Sequence, residues 1–509
     1  MGRMKYYQPT DTYMDGLPIG NGRLAAMVLG TPEKQRIALN HEWLWSGKYK
    51  NRSPKEVWQH LDKVREYLFD GEYVIGTVLA DEALSCGSWC EFCDDYIPAG
   101  DLYFEQDNPD CENYSRTLDL SKAEVTVEYG KNVRTICRTF ADFCNNVVIY
   151  HVKTVGGKVS GVLSIDRKTS EDYITEIKST NDAITLSCQF INGISFEVRT
   201  NVVCKGGRAE AVENGIKITD ADEIIAFTDI NPDFLNHELI KSLPTYDYDK
   251  LLAEHQKKFS ELFNRVSLDI GCGDEDIPTD ERINNVRNGN VDAGLIKLYF
   301  DYGRYLMISS SCGFADLPAN LQGKWNEDLK APWSSDYHFD INLEMNYWLA
   351  NQCNLAEANI PLFNLLNRYA EYAEEAAEKT FNCKGIFFPI SGDAWGIGKP
   401  LSNSGWYVWT GAAPWLSLHL WNQWEYTLDK EFLREKAYPF LKKCAEFYAS
   451  FGVIKDGEVK LCPSYSPENR FKPCGKYPVS LGVNCAMDVE LMHDVLTHVI
   501  KASEILGED

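Results

Sequence analysis

The sequence predicts a multidomain α and β protein in which an N-terminal antiparallel β-sandwich is followed by an incomplete (α/α)6 toroid. Three observations predict it. Up to about residue 240, short apolar or alternating runs are separated by turn residues. From about 245 the apolar period lengthens to that of amphipathic helices, and those helices alternate with long, aromatic-rich loops. With 509 residues the chain is also too long for one ordinary core. We place the sandwich at 1–243, a helical linker at 244–288 and the first part of the barrel at 289–509.

Strands are expected at 24–30, 36–40, 101–106, 123–129, 134–140, 146–154, 183–190, 194–204 and 223–230. Gly130, Gly156-Gly157, Asn192-Gly193 and Gly206-Gly207 supply the turns between them, so antiparallel sheets packed face to face are the simplest reading. One helix, 54–69, interrupts the series. Leu251, Leu252, Phe259, Leu262 and Phe263 give 248–266 one apolar face, and an acidic, Gly-bearing linker at 269–281 follows. Six further helices are expected at 293–311, 342–354, 361–380, 412–426, 431–451 and 488–506, with Pro361 in a first turn and Asp429 as a cap. A closed toroid of six helical hairpins needs twice as many, so the count predicts half a barrel.

The net charge is −24, from 75 acidic and 51 basic residues, with no basic cluster. That field repels phosphate backbones and anionic lipid, which excludes nucleic acid and membrane surfaces as expected partners and favours a neutral ligand. No apolar run reaches a membrane span, and the N-terminus has no apolar leader core. Sixteen scattered Cys, many within apolar runs, suit a reducing, cytoplasmic setting. No cofactor or metal is expected.

Residues 321–348 carry three Trp, three Asn and several carboxylates. Flat indole faces stack on pyranose C–H groups while amides and carboxylates bind hydroxyls, so this composition points to a sugar cleft. If a helix begins at Ile341, Asn342 and Asn346 share one face, and Met345 and Trp348 are expected on the packing face. In an extended lead-in, His338, Asp340 and Asn342 alternate onto one side; helix capping by Asp340 is the plainer alternative. Gln322 and Trp325 precede them, and Trp325, Trp333 and Trp348 favour binding. A second group is 464–471, SYSPENRF, where Glu468 on a Pro-fixed turn near Tyr465 and Phe471 could occupy a partly apolar pocket suited to a general acid, or could simply open a helix. In a third, Asp393 and Trp395 sit in an aromatic loop that serves either substrate contact or plugging of the toroid end.

Together these motifs resemble glycoside hydrolase family 95, whose members mostly release α-linked L-fucose and include α-L-galactosidases. The resemblance runs through 16–24 (GLPIGNGRL), 39–47, 321–326 (LQGKWN), 342–348 and 466–469 (SPEN), nearly the whole chain. It implies a β-sandwich before an (α/α)6 barrel and an inverting, exo-acting hydrolysis of an oligosaccharide or glycan. Glu468 matches the family's general acid. Asn342 matches the second of two water-holding Asn residues, Asp340 replaces the first, and His338 matches a sugar-contacting His. The family's assisting Asp falls beyond Asp509, and the segment around Asp393 lacks the family's His-His. An Asp at 340 could take a proton from water directly, which an amide cannot.

Other readings compete. Cys86, Cys90 and Cys93 have the spacing of an iron–sulfur motif, with Asp94 as a possible fourth ligand for zinc, yet strand residues follow directly and reduced loop cysteines are the plainer reading. Gly20-Asn21-Gly22 reads as a turn, because strand residues follow it where a nucleotide loop needs a helix. A glycoside phosphorylase of similar architecture, or a sugar-binding fragment without turnover, are the remaining alternatives.

Overall fold

A computed structural model of the chain describes residues 2–48, 55–84, 93–235, 238–271, 277–397, 408–473 and 475–508. It divides into two compact units that interleave along the sequence. The first comprises Met1–Lys48, Asp95–Ser335 and Cys353–Pro361; the second comprises Tyr49–Asp94, Asp336–Gln352 and Leu362–Asp509. Along the chain the helices are α1 (Leu61–Phe69), α2 (Tyr73–Ala83), α3 (Tyr248–Phe263), α4 (Thr279–Arg287), α5 (Ala293–Ser311), α6 (Asn342–Gln352), α7 (Ile360–Phe381), α8 (Ala412–Thr427), α9 (Lys430–Phe432), α10 (Tyr438–Phe451) and α11 (Ala486–Leu506).

The first unit is built on two antiparallel sheets. A nine-stranded sheet runs in the order Arg3–Tyr6, Ser115–Asp119, Glu124–Tyr129, Arg134–Ala141, Val148–Val155, Glu223–Pro232, Ser195–Lys205, Ala183–Phe190 and Tyr173–Ser179. A seven-stranded sheet contains Arg208–Val212, Gly215–Ala221, Val159–Asp166, Gly100–Gln106, Lys34–His41, Leu24–Leu29 and Leu17–Gly20. Burial alternates along Val159–Asp166, with Val159, Leu163 and Ile165 inside, as expected of a strand with one face on a core. Phe104 of the smaller sheet meets Tyr150 of the larger with ring centroids 6.3 Å apart, which fixes the interior between them. The sandwich expected from the alternating runs is present.

Helices of this unit begin where the sequence supplies caps. The Asp247 side chain accepts from the backbone N–H groups of Asp249 and Lys250 to start α3, which lays Tyr248 and Leu251 on Phe140, Ile149 and Phe227. Asp292 caps α5 through Leu295 N–H and pairs with Arg282 of α4 at 2.6 Å. The Gly20-Asn21-Gly22 segment is a hairpin turn: Asn21 Oδ1 accepts from Leu24 N–H at 2.8 Å, and Gly22 takes a φ of +91°. A Cβ on Gly22 would lie 1.9 Å from the Cys312 carbonyl oxygen, so only glycine lets the turn approach the end of α5.

A buried ion pair, Glu42 with Lys324, lies nearby and is joined by the partly exposed Arg23. Glu42 accepts from Lys324 Nζ at 2.9 Å, from Arg23 Nε at 3.2 Å, and from the backbone N–H groups of Asp316 and Leu317. Lys324 also donates to the Leu317 carbonyl at 2.7 Å. Burial lowers the Lys324 pKa, and the Glu42 carboxylate acts against that shift.

In the second unit α8 packs against α6, α10 and α11. Phe381, Phe387, Phe447 and Phe451 form an aromatic cluster, with the Phe381 and Phe387 rings edge to face at 4.9 Å. Arg65 of α1 donates to the carbonyls of Phe451 and Cys462 at 2.9 Å each, satisfying the end of α10 and the chain leaving it. Asp429 caps α9 as expected, Pro361 lies in the first turn of α7, and a π-helical turn, Leu433–Ala437, joins α9 to α10. Two helices were not expected. In α2, YVIGTVLADEA, apolar residues occur all round, and in α4, TDERINNVR, polar ones do, so neither shows a one-sided stripe.

Candidate active site

The site lies in the second unit, where three short strands, Tyr337–His338, Ser391–Asp393 and Gly396–Ile397, pair antiparallel and feed into α6. His338 Nδ1 is 3.2 Å from Asp336 Oδ1, and His338 Nε2 is 3.7 Å from Asp340 Oδ1. A buried imidazole therefore sits between two carboxylates. Burial acts to lower the His338 pKa, but Asp336, then Asp340 and Glu468, outweigh it and the net shift is upward. Asp340 is raised to about 6, chiefly by burial; His338 opposes the shift, while the charges of Glu468 and Asp336 add to it. The charge of Glu468 thus reaches both His338 and Asp340. Asp336 is also raised by burial, against hydrogen bonds to His338 and Ser391.

Asp336 was not anticipated from sequence. The signal existed: the alternation that links His338 to Asp340 reaches Asp336 when carried back by two residues.

Helix α6 differs from its expected orientation. Its buried face is Leu343, Glu344, Tyr347 and Ala350, while Met345 and Trp348 are 50% and 46% exposed. Spacings of three and four residues from the exposed Asn342 carry Met345 and the half-buried Asn346 to the same side. Glu344 is completely buried, and that burial holds its carboxyl well above the usual carboxylate range.

Glu468 sits at the exposed tip of its loop, not in an apolar pocket. Tyr465 turns inward and is buried, and Phe471, 40% exposed, packs edge-on against Tyr73 of α2 at 5.4 Å. Behind the loop, Asp488 in the first turn of α11 accepts from Ser464 Oγ at 2.6 Å and from Tyr465 N–H at 3.2 Å. Burial raises Asp488 to about 6; Ser464, Tyr465, Thr410 and Trp409 act against the rise.

The remaining candidates occupy other settings. Asp393 is buried, and its carboxylate accepts from the backbone N–H groups of Asp94 at 2.7 Å and Trp395 at 2.9 Å; this is a loop-closing role. Trp395 is half-buried. In the first unit, Trp325 donates its indole N–H to the Ile19 carbonyl at 2.9 Å and packs with Tyr13, Ala25 and Ala38, which gives it a core position. Gln322 is half-buried, its backbone N–H bonded to Asn320 Oδ1 at 2.9 Å. Trp333 is 72% exposed on a left-handed turn. Cys86 and Cys90 lie outside the described residues; Cys93 is buried, its Sγ 3.6 Å from Ser391 Oγ.

The chain thus has an antiparallel sandwich and a helical unit, the latter carrying a histidine between two carboxylates. The fold is shared with a structure described as a kojibiose phosphorylase from human microbiome, at TM-score 0.59 and 12% identity, covering 92% of this chain and 62% of that one. The glycosyl hydrolase family 95 catalytic domain model matches residues 247–509, and the glycosyl hydrolase family 65 N-terminal domain model matches 4–237. The chain belongs to glycosyl hydrolase family 95. Alpha-L-fucosidase 2 of Arabidopsis thaliana is 30% identical over 99% of this chain and 65% of its own length. A protein of Aspergillus niger named "Probable alpha-fucosidase A" is 26% identical over 97% of this chain and 66% of its own. The chain therefore spans about two thirds of the length of these relatives.

Proposed function

We propose that this chain carries the sandwich and the acid-bearing part of the helical domain of an exo-acting, inverting glycoside hydrolase that releases terminal α-L-fucosyl residues. The observation that carries the reading is the Asp336–His338–Asp340 line within the field of Glu468, inside the stretch matched by the family's catalytic domain. The names of the two relatives support fucose as the sugar.

In this reading Glu468 gives its proton to the glycosidic oxygen as the bond to C1 breaks. A water held by Asn342 attacks C1 from the opposite face and passes its proton to the Asp340 carboxylate. Asp336 orients His338, whose charge keeps Asp340 anionic near neutrality and whose ring borders the sugar. Trp348, Asn346 and Trp395 are proposed as sugar contacts; Trp325 and Asp393 take the structural roles described above. Cys137, Cys188 and Cys444 are buried as thiols in apolar surroundings, which supports a reducing, cytoplasmic setting. No described helix is long and apolar enough to cross a membrane.

Hydrolysis of aryl α-L-fucoside and aryl α-L-galactoside, with and without inorganic phosphate, tests the reaction, and proton NMR reads the first anomer released. We expect phosphate-independent release of the β-anomer from the fucoside. Release of a sugar 1-phosphate, or of the α-anomer first, would rule out an inverting hydrolase.

The Asp340 proton acceptor gives a pH signature. It must be ionised, so kcat/KM should fall as pH drops through about 6, where Asp340 gains a proton in the presence of His338, Asp336 and Glu468. Asp340→Asn should lower kcat by about a hundredfold or more and remove that acidic limb. An unchanged limb in the variant would assign it to another group.

A further inference from the structure

We propose that Asp488 is a positioning residue for the general acid: from the first turn of α11 it anchors the loop that presents Glu468. The inference rests on the reading of Glu468 as that acid. Two donors to the Asp488 carboxylate, the Ser464 hydroxyl at 2.6 Å and the Tyr465 N–H at 3.2 Å, belong to the stretch immediately before Ser466-Pro467-Glu468. The Ser464 hydroxyl oxygen in turn accepts from Cys485 N–H at 2.9 Å, so the start of α11 and the loop are joined twice.

The rest of the loop base is equally tied. Ser464 and Gly482 exchange backbone hydrogen bonds at 3.0 and 2.9 Å, and Phe471 and Val479 do so at 2.9 and 2.8 Å. Asn484 Oδ1 accepts from Leu461 N–H at 2.7 Å. Residues 466–470 lie between the anchors at Tyr465 and Phe471, and within them Asn469 N–H bonds back to the Ser466 carbonyl at 2.7 Å. Glu468 therefore stands on a short span whose incoming end is fixed by Asp488.

A carboxylate suits this position because one oxygen serves two donors at once. The Thr410 hydroxyl and the Trp409 indole N–H also bear on this carboxylate, so an amide at 488 whose oxygen serves Ser464 and Tyr465 turns its N–H groups toward Thr410 and Trp409 and offers no second acceptor. A shift of about 1 Å in an acid's position is enough to cost about a hundredfold in rate. That loss is confined to reactions in which the leaving oxygen needs the proton.

The test compares Asp488→Asn and Ser464→Ala with the unaltered chain by two readouts. Hydrogen exchange of the peptide spanning 461–471 should accelerate about tenfold or more in both variants. With a fucosyl disaccharide, kcat should fall about ten- to a hundredfold, while with 2,4-dinitrophenyl α-L-fucoside, whose leaving group needs no proton, it should stay within about threefold. Ser464→Ala removes one hydroxyl and keeps the carboxylate, so it reports even where Asp488→Asn unfolds. Unchanged exchange in the folded variants, or an equal loss of kcat on both substrates, would overturn the assignment. If the unaltered chain turns over neither substrate, or Glu468→Gln lacks the leaving-group signature, the hydrolase reading fails, and the exchange result alone decides whether Asp488 holds the loop.

Discussion

Glu468→Gln is expected to lower kcat on a fucosyl disaccharide by about a hundred- to ten-thousandfold with little change in KM. Glutamine keeps the length and polarity of the side chain but has no proton to give, so the loss falls on the transition state and not on binding. Glu468 is well placed for such a role because it is exposed at a loop tip while the base of that loop is held from behind. Its charge also contributes to the raised pKa of Asp340. Removing it should therefore move the Asp340 titration downward, a second effect that binding a substrate analogue at varied pH would detect. A Glu468→Gln protein that retained full disaccharide activity would eliminate this residue as the acid.

Glu42→Ala is expected to give the largest loss of stability, about 3–5 kcal/mol, seen as a fall of about 10 °C in the thermal midpoint. The carboxylate is buried and serves Lys324, Arg23 and two backbone N–H groups at once. Its removal leaves an ammonium group in the interior with only the Leu317 carbonyl as partner, and strands the Asp316 and Leu317 amides. The double change Glu42→Leu with Lys324→Met removes both ions together, so it should recover part of that loss. If Glu42→Ala cost less than about 1 kcal/mol, water would have to reach Lys324, contrary to the burial of the cluster.

What the sequence revealed depended on whether a residue's role shows in its neighbours along the chain. The strand Ala183–Phe190 and the helix Ala293–Ser311 carry one-sided apolar patterns or an Asp cap, and such signals are local, whereas the strand Val159–Asp166 was not expected. Helices α2 and α4 have no stripe, so periodicity passed over them. Composition drew attention to Trp325 and Asp393 as cleft residues, yet hydrogen bonds to Ile19 and to Asp94, remote in sequence, hold them inside. Trp348 and Met345 were assigned to the packing face on hydrophobicity alone, and Glu344 was not, although the structure buries Glu344 and exposes the other two. The pairing of Asp336 with His338 was within reach of simple alternation. The link from Asp488 to Ser464 spans 24 positions and has no local signature.

The interleaving of the two units has a practical consequence for anyone who cuts or recombines this gene. The backbone passes from one unit to the other after Lys48, Asp94, Ser335, Gln352 and Pro361. A single protease nick at any one of these junctions leaves at least one unit built from both fragments, so packing within that unit should keep nicked protein together on a sizing column. A gene split near residue 247, where the catalytic-domain match begins, yields a C-terminal half lacking Tyr49–Asp94 and with it Arg65, the donor that ties off the end of α10. Neither unit is a cassette that can be lifted out in one piece.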